Sequence, residues 1–126
     1  MERKRILIID DSRTSQMMTT MLLARGPYAV TTAGDGEEGV RKALANPPDL
    51  ILLDVCMPKM NGFEACRLLR TQPPTQTVPI IMMTTRGETT NVEQGYASGC
   101  TDYITKPLNN GELLAKVHDC LQDCER

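Results

Sequence analysis

Two short runs of the sequence are apolar without polar alternation, and they constrain the fold more than any other feature. The segments Arg5–Ile9 and Asp49–Leu53 read Arg-Ile-Leu-Ile-Ile and Asp-Leu-Ile-Leu-Leu. Strands that are apolar at successive positions have both faces buried, as in a parallel sheet covered by helices. Carboxylates follow each run directly, at Asp10–Asp11 and at Asp54. The sequence therefore predicts an α/β fold with acidic residues at the carboxyl ends of buried strands.

Strand and helix patterns alternate along the rest of the chain. Tyr28–Ala33 is a more polar strand, which favours a position at the edge of the sheet. The predicted first helix carries Met18, Met21 and Leu22 at helical spacing. Alternation of this kind predicts right-handed crossovers and a parallel sheet with helices on both faces. The predicted strands are 5–9, 28–33, 49–54, 79–84 and 102–105, and the predicted helices are 12–25, 35–46, 61–71, 90–98 and 109–124.

Four of the predicted helix starts share one pattern, a capping side chain followed three residues later by a glutamate. In such a capping box the glutamate reaches back to the start of the helix. The pairs are Asp35 and Glu38, Asn61 and Glu64, Thr90 and Glu93, and Asn109 and Glu112. The first predicted helix lacks the pattern, and Asp10 and Asp11 lie at its N-terminus.

Charge and composition argue against several classes of function. The chain has 126 residues, the length of one domain, and its 14 basic and 16 acidic residues give a net charge of -2 without a basic block. We therefore expect neither nucleic acid nor an anionic membrane as a direct partner. No apolar run approaches the length of a membrane span, and the start of the chain does not resemble a signal peptide, which favours a cytoplasmic location.

The five cysteines form no Cys-x-x-Cys pair, and small buried hydrophobes are their simplest interpretation. Cys120 and Cys124 share a face of the last predicted helix, with His118 nearby. A zinc site there would still need a fourth ligand. His118 is therefore interpreted as a polar helix residue.

Polar side chains stand where the predicted strands end. Asp10 and Asp11 end the first strand, Asp54 the third, Thr84 the fourth and Lys106 the fifth. Because the carboxyl ends of parallel strands meet at one edge of a sheet, we expect these groups to lie close together. Three carboxylates beside a hydroxyl and an ammonium suit a hard divalent cation and a phosphoryl group. A carboxylate can also be the nucleophile that forms an aspartyl phosphate.

The motifs around these residues resemble the receiver domain of bacterial two-component response regulators, including those of the chemotaxis-regulator kind. The resemblance spans nearly the whole chain, with the motifs in the order and at the spacing of that family. It implies a single receiver domain over residues 1–126, with a doubly wound, five-stranded parallel sheet in the flavodoxin-like order 2-1-3-4-5 and five helices on both faces. The segments that carry it are Ile8–Ser12, Leu52–Gly62, Pro79–Gly87 and Gly99–Pro107.

The resemblance implies that Asp54 accepts a phosphoryl group from a histidine kinase. It implies a Mg²⁺ ion, or Mn²⁺ in its place, held by Asp11, Asp54 and the backbone carbonyl of Cys56, with Asp10 acting largely through water. The expected chemistry is phosphotransfer to the domain itself and slow autodephosphorylation. The protein is therefore expected to be a signalling phosphoprotein and not an enzyme with an external substrate.

Four later residues also receive roles from the resemblance. Thr84 and Lys106 are expected to bind the phosphoryl oxygens, and Lys106 to pair with the acids before transfer. The peptide bond between Lys106 and Pro107 is expected to be cis, which costs little before proline. Tyr103 occupies the switch-aromatic position and is expected to turn inward when Thr84 moves toward the phosphate. The simpler alternative for Tyr103 is ordinary packing at a strand end.

The sequence departs from the usual pattern of the family at a few positions beside the site. Thr85 stands where a smaller alanine is usual, which is expected to crowd access to the acid. Cys56 and Arg86 fill the two variable positions expected to tune the lifetime of the phosphoryl group. Leu108 replaces a frequent phenylalanine, and we interpret it as packing.

The implied partners are a histidine kinase or phosphotransfer protein as donor and a protein target or output domain as receiver of the signal. The surface that responds is expected to comprise the last two helices and the last strand, and to support a phosphorylation-dependent dimer. The chain ends at Arg126, just past the last predicted helix. Either a free-standing receiver or one domain of a longer regulator fits this end.

Two other classes of protein share parts of the pattern. A haloacid-dehalogenase-like phosphatase also combines an aspartate nucleophile, threonine, lysine and Mg²⁺, but it needs Asp-x-Asp after its first strand, where this chain has adjacent Asp10 and Asp11. A flavodoxin-like FMN-binding module needs a hydroxyl-rich phosphate loop and aromatic side chains that stack on the flavin. The first loop here is acidic and only 3% of the residues are aromatic, which disfavours that alternative.

Overall fold

In the part of the chain that this computed structural model describes, five strands alternate with five helices. The structure describes residues 3–57, 59–85, 89–106 and 108–124, apart from the side chains of residues 85, 89–92, 123 and 124. The elements are β1 (Lys4–Ile9), α1 (Arg13–Leu23), β2 (Tyr28–Ala33), α2 (Gly36–Ala45), β3 (Leu50–Asp54), α3 (Gly62–Thr71), β4 (Ile80–Thr85), α4 (Thr89–Ser98), β5 (Asp102–Lys106) and α5 (Asn110–Cys124).

All five strands are parallel and form one sheet in the order β2-β1-β3-β4-β5. The fold class and the strand order expected from the sequence are therefore confirmed, as is the edge position of the more polar strand β2. Every residue of the central strand β3 is buried. The absence of polar alternation in its sequence reflects this burial on both faces.

The two faces of the sheet have separate apolar cores. Leu7 and Ile9 of β1 lie in the core shared with α2 and α3, whereas Ile6 and Ile8 lie in the core shared with α1 and α5. Successive residues of a strand point to opposite faces, which explains this division. Because helices cover both faces, the ends of the strands are where polar groups of the sheet can reach solvent or a ligand.

Three of the four predicted capping pairs can be examined among the described side chains. Asn61 and Glu64 form the complete capping box at the start of α3. The Asp35 side chain accepts from the Glu38 amide, but the Glu38 carboxylate accepts from the Gly34 amide, one residue before the expected donor. In the third pair, the Asn109 side chain accepts a hydrogen bond from the Glu112 amide.

The predicted cap at Thr90 is wrong, because α4 begins at Thr89 and Thr90 lies inside the helix. Elsewhere the predicted and observed bounds agree closely. The predicted first helix is two residues too long at its end, since α1 stops at Leu23. A chain turn over 24–27 separates it from β2, where Gly26 and Pro27 interrupt the helical pattern.

The methionines of α1 lie on its exposed side. Met18 and Met21 are 60% and 69% exposed, and Met17 is 65% exposed. The buried residues of the helix are Thr19 and Leu23. Thr19 can face the core because its hydroxyl donates to a carbonyl of its own helix. The spacing of Met18 and Met21 thus predicted a helix correctly without indicating its buried face.

The cysteines of the described side chains follow the interpretation from the sequence with one exception. Cys66, Cys100 and Cys120 are buried, whereas Cys56 is exposed. His118 is exposed on α5. Within the described part of the chain, no helix has both the length and the apolar character needed to cross a membrane.

Candidate functional site

Three carboxylates meet at the carboxyl edge of the sheet. Asp10 and Asp11 follow β1 and Asp54 ends β3, and the pairing of Ile9 with Leu53 brings these two strand ends side by side. One carboxylate oxygen from each aspartate lies within 4.8 Å of the others. Asp10 is fully buried, Asp54 is 7% exposed and Asp11 is exposed at the rim. A cluster of hard oxygen ligands with one solvent-facing member has the chemistry that a divalent cation requires.

Lys106, the last residue of β5, supplies the positive charge among these carboxylates. Its Nζ lies 3.1 Å from Oδ2 of Asp10 and 3.6 Å from Oδ1 of Asp54. Only the shorter contact is a hydrogen bond. A buried carboxylate is costly unless it is paired, so Lys106 makes the burial of Asp10 tolerable. The shorter distance shows that Asp10 holds the lysine more closely than Asp54 does.

Two other predicted residues also lie at this edge of the sheet. Thr84 is 3% exposed and pairs in register with Thr105, one residue before Lys106. The backbone of Cys56 hydrogen-bonds to the Asp54 carboxylate, while the Cys56 side chain is exposed. The strand ends therefore bring a hydroxyl and a loop backbone to the neighbourhood of the carboxylates.

Burial raises the pKa of Asp54 from its ordinary value of 3.8 to about 6. Removal of the carboxylate from water is the largest cause, and the negative charge of Asp10 adds to it. The ammonium of Lys106 and the backbone hydrogen bond from Cys56 act in the opposite direction. Loss of hydration outweighs the attraction of one lysine, which leaves Asp54 poorly stabilised as an anion.

The loop that follows Asp54 depends on a glycine. The Gly62 amide donates to the Val55 carbonyl at 2.9 Å. A Cβ at Gly62 would collide with the Asp54 carbonyl oxygen and would lie 2.8 Å from Cα of Val55. These neighbours are backbone atoms and cannot rotate away. Gly62 therefore allows the start of α3 to approach the backbone on which Asp54 stands.

Sequence reasoning missed two supports of the Asp10 backbone and side chain. The Ser12 amide donates to Oδ1 of Asp10 at 3.0 Å. The Gln16 side chain donates to the carbonyls of Asp10, at 2.6 Å, and Ala33, at 3.1 Å. A glutamine one helical turn after the N-cap was the available signal, but such a residue is usually a solvated helix position.

Tyr103 packs against two side chains of the neighbouring helices. Its ring and that of Tyr96 are T-shaped, with centroids 5.9 Å apart. The Lys116 ammonium lies 5.6 Å from the centre of the Tyr103 ring and hydrogen-bonds to both carboxylate oxygens of Asp102. The Tyr96 hydroxyl is also within reach of Asp102, at 3.5 Å. Tyr103 is thus held, half-buried, between α4 and α5.

Four features discussed in the sequence analysis lie outside the described residues. They are the side chains of Thr85 and Cys124, residue Arg86, and the peptide bond between Lys106 and Pro107. Their expected roles stay predictions.

The geometry of this edge agrees with a comparison against known protein families. Residues 6–118 match the response regulator receiver domain family. This chain belongs to that family. The match confirms the resemblance inferred from the motifs, and the phosphatase and FMN-binding alternatives are rejected. Receiver domains serve in two-component phosphorelay signalling, so the general class of function is established with the family.

Individual relatives of this receiver differ in length. Protein PilH of Pseudomonas aeruginosa is 38% identical over 93% of this chain and 97% of its own length. The DNA-binding dual master transcriptional regulator RpaA of Synechocystis is 39% identical over 97% of this chain and 51% of its own length. The chain thus spans about half the length of several curated relatives that it matches. Since RpaA is a DNA-binding regulator, the relatives do not support the charge-based expectation of no nucleic acid partner.

A solved receiver domain resembles this chain closely and contains a metal ion. It is the receiver domain of the sensor histidine kinase PA1611 from Pseudomonas aeruginosa, with a TM-score of 0.89, 30% identity, and coverage of 95% of this chain and 98% of that one. A magnesium ion is coordinated in the active site cleft of that protein.

Proposed function

We propose that this receiver accepts a phosphoryl group on Asp54 from a histidine kinase or phosphotransfer protein. The observation that carries the proposal is the position of Asp54, a nearly buried carboxylate at the end of the central strand, between Lys106 and two further aspartates. An oxygen of Asp54 would attack the phosphorus of the donor. A new oxygen–phosphorus bond forms while the bond from phosphorus to the donor breaks, and the bonding electron pair leaves with the donor.

The acidic cluster supports Mg²⁺ as the cofactor of this reaction. Asp11, Asp54 and the backbone carbonyl of Cys56 would hold the ion, and Asp10 would act largely through water. The fit rests on three carboxylate oxygens within 4.8 Å of one another and on the magnesium ion coordinated in the cleft of the PA1611 receiver. Bound Mg²⁺ would offset the charge of the carboxylates and of the phosphoryl oxygens, and Mn²⁺ offers the same chemistry.

Lys106 and Thr84 would hold the phosphoryl oxygens that the metal leaves unbound. Lys106 already lies 3.6 Å from Asp54, so a phosphoryl group on that residue would come within reach of its ammonium. Phosphoryl transfer depends mainly on positioning and neutralisation of charge. Slow attack of water on the phosphorus at the same site would release phosphate and restore the Asp54 carboxylate, which is autodephosphorylation. The flanking residues Cys56, Thr85 and Arg86 would tune its rate.

The test is phosphorylation of the metal-loaded wild-type protein by acetyl phosphate. We expect a mass increase of one phosphoryl group in Mg²⁺, none in chelator, and loss of the group in hydroxylamine, which cleaves acyl phosphates. A phosphoryl group that resists hydroxylamine would lie on a hydroxyl side chain and contradict the proposal. Absence of any mass increase across a range of Mg²⁺ concentrations would contradict it as well.

We further propose that phosphorylation is transmitted through Thr84 and Tyr103 to the surface formed by α4, β5 and α5. When Thr84 moves toward the phosphate, Tyr103 would turn inward and leave its contacts with Tyr96 and Lys116. A complete change between two states, from 1:99 to 99:1, needs about 5.5 kcal/mol of differential stabilisation. This surface would contact the target protein or output domain, or form the phosphorylation-dependent dimer.

Thr84→Ala is expected to uncouple phosphorylation from this response. The variant keeps Asp54 and Lys106 and should still accept a phosphoryl group, but it lacks the hydroxyl that follows the phosphate. We expect smaller chemical-shift changes in α4, β5 and α5 upon phosphorylation than in the wild type, measured by NMR on ¹⁵N-labelled protein. Changes of full size in phosphorylated Thr84→Ala would refute the role of the hydroxyl.

The surface that receives the donor is proposed to be the apolar groove beside α1. This groove has a volume of about 430 Å³, and its lining includes Met18, Met21, Leu22, Leu108 and Lys106. The groove extends from the exposed methionines to Lys106, whose ammonium lies 3.6 Å from Asp54. No charged residue occurs between positions 14 and 24. A donor protein with an apolar surface around its phosphohistidine fits this groove.

Met18→Glu is expected to slow phosphotransfer from a protein donor about tenfold, because a charge placed in the apolar groove must be desolvated on docking. The donor would be a purified histidine kinase, labelled with radioactive ATP and chosen because it phosphorylates the wild type. Phosphorylation by acetyl phosphate, which needs no docking surface, should be unchanged. Leu68→Glu on α3 is the matched control, since Leu68 is also an exposed apolar side chain. Equal slowing by both variants would argue against the groove.

A further inference from the structure

The Gln16 side chain joins the ends of two strands beside the acidic cluster. β1 and β2 pair in register up to Ile9 and Ala33. Beyond this last pair, the Asp10 amide still donates to the Ala33 carbonyl at 3.1 Å. Nε2 of Gln16 then donates to the Asp10 carbonyl at 2.6 Å and to the Ala33 carbonyl at 3.1 Å. The side chain thus extends the strand ladder by one further step.

The two hydrogen bonds match the donor capacity of a primary amide. Nε2 carries two hydrogens, and both acceptors are carbonyl oxygens, so the amide nitrogen and not its oxygen must face the strands. The backbone of Gln16 is held within α1, because the Gln16 amide donates to the Ser12 carbonyl in the first turn of the helix. The first turn of α1 and the ends of β1 and β2 are therefore joined through one side chain.

The bond to the Asp10 carbonyl matters for Asp11. The carbonyl of Asp10 and the amide of Asp11 belong to one planar peptide unit, so a donor that fixes the carbonyl also fixes the plane from which Asp11 departs. Asp10 is restrained in addition through its carboxylate, which accepts from Ser12 and Lys106. Asp11 is exposed at the rim, so the direction of its side chain depends strongly on this peptide plane.

We propose that Gln16 is a positioning residue for the metal-binding carboxylates: by bridging the Asp10 and Ala33 carbonyls, it holds Asp11 in the direction that the cation requires. This inference rests on the proposed function of the acidic cluster. Groups that orient metal ligands from behind are commonly worth about 10- to 100-fold in metal affinity. Gln16 acts on Asp11 through the backbone and does not touch the cation.

The experiment is a calorimetric titration of the full chain with Mg²⁺ alone. Gln16→Met preserves the length and helix propensity of the side chain and removes both donors. We expect its dissociation constant for Mg²⁺ to rise about tenfold, the lower end of the effect of such groups. Thr20→Ala is the matched control, because it removes a hydrogen bond within α1, from Thr20 Oγ1 to the Gln16 carbonyl, without altering the Gln16 side chain. Its affinity should stay near that of the wild type.

A second readout separates positioning from a general loss of structure. In phosphorylation by acetyl phosphate, the Mg²⁺ concentration for half-maximal rate should rise in Gln16→Met, while the rate at saturating Mg²⁺ should stay close to that of the wild type. Gln16→Asn provides a second variant that keeps the amide but is one methylene too short to reach both carbonyls. It should show the same shift, and this result remains decisive if Gln16→Met does not fold.

Wild-type Mg²⁺ affinity in folded Gln16→Met or Gln16→Asn would overturn the role of Gln16 and leave the proposed metal site intact. An equal loss of affinity in Thr20→Ala would also overturn it, because disturbance of α1 would then be the cause. Absence of Mg²⁺ binding in the wild type would overturn the proposed metal site and this inference together.

Discussion

Asp54→Asn is expected to gain no phosphoryl group from acetyl phosphate in Mg²⁺, under conditions in which the wild type gains one. The amide has nearly the shape of the carboxylate, but its nitrogen carries hydrogens and its oxygen is a far weaker nucleophile. Asp10 and Asp11 are retained in the variant. Their presence tests whether another member of the cluster can replace Asp54, and we expect that neither can. Intact-mass spectrometry measures the result directly.

Asp49→Asn is the matched control for this variant, since Asp49 precedes the same strand at its opposite end. Its carboxylate accepts a hydrogen bond from the Arg5 amide, a role that the oxygen of an asparagine can also fill. This control should be phosphorylated at the wild-type rate. A mass increase in Asp54→Asn equal to that of the wild type would mean that another residue accepts the phosphoryl group.

The strands and the grouping of the carboxylates could be predicted because one physical cause controls both. A parallel strand buried on both faces is apolar along its length, as Leu50–Leu53 of β3 show, and polar residues begin at its end. Asp10 and Asp54 stand at these points, so the strand order alone brings them together. For the same reason Thr84 and Lys106 could be placed at this edge without knowledge of any distance.

The side of a helix that faces the core or the strand ends could not be predicted in this way. The spacing of Met18 and Met21 indicates a helix, but Thr19 and Leu23 were the residues that face the core. Glutamine is likewise a residue usually found at solvated helix positions. Gln16 contacts two backbone carbonyls only because α1 lies close to the ends of the strands. Neither orientation follows from sequence spacing.

The main cause of the raised pKa of Asp54 also could not be predicted from the sequence. Three acids near one lysine predict a raised carboxyl pKa from repulsion alone. The pKa of Asp54 is indeed raised, but burial is the largest cause and the charge of Asp10 is a smaller one. The depth at which Asp54 lies could not be read from its position in the sequence.

This raised pKa leads to a second large expected effect, a gain in stability for Asp54→Asn in the absence of metal. In the folded wild type Asp54 has a pKa of about 6, against an ordinary value of 3.8. Between these values the folded state binds a proton that the unfolded state releases. The free energy of unfolding therefore falls as the pH rises through this window, and above pH 6 the penalty is complete.

A shift of this size corresponds to at most roughly 3 kcal/mol at neutral pH, since one unit of pKa is worth about 1.4 kcal/mol. Solvent screening makes the actual penalty smaller, and the asparagine amide of the variant is still buried, so we expect a gain of about 1 kcal/mol in the free energy of unfolding at pH 7. Denaturant unfolding in chelator measures it. Between about pH 4 and 6 the free energy of unfolding should decline in the wild type, and this decline should be largely absent from the variant.

Mg²⁺ should reverse the order of stability, because the ion binds the folded site and needs the carboxylate of Asp54. A ligand at 100 times its dissociation constant stabilises a folded protein by about 2.7 kcal/mol. We expect most of this gain in the wild type and little of it in Asp54→Asn, so the same unfolding measurements with Mg²⁺ should favour the wild type. A variant that is less stable than the wild type in chelator would mean that the pairing of Asp54 with Lys106 outweighs the cost of burying the carboxylate. Equal stabilisation of both proteins by Mg²⁺ would mean that the ion binds without Asp54, through Asp10 and Asp11 alone.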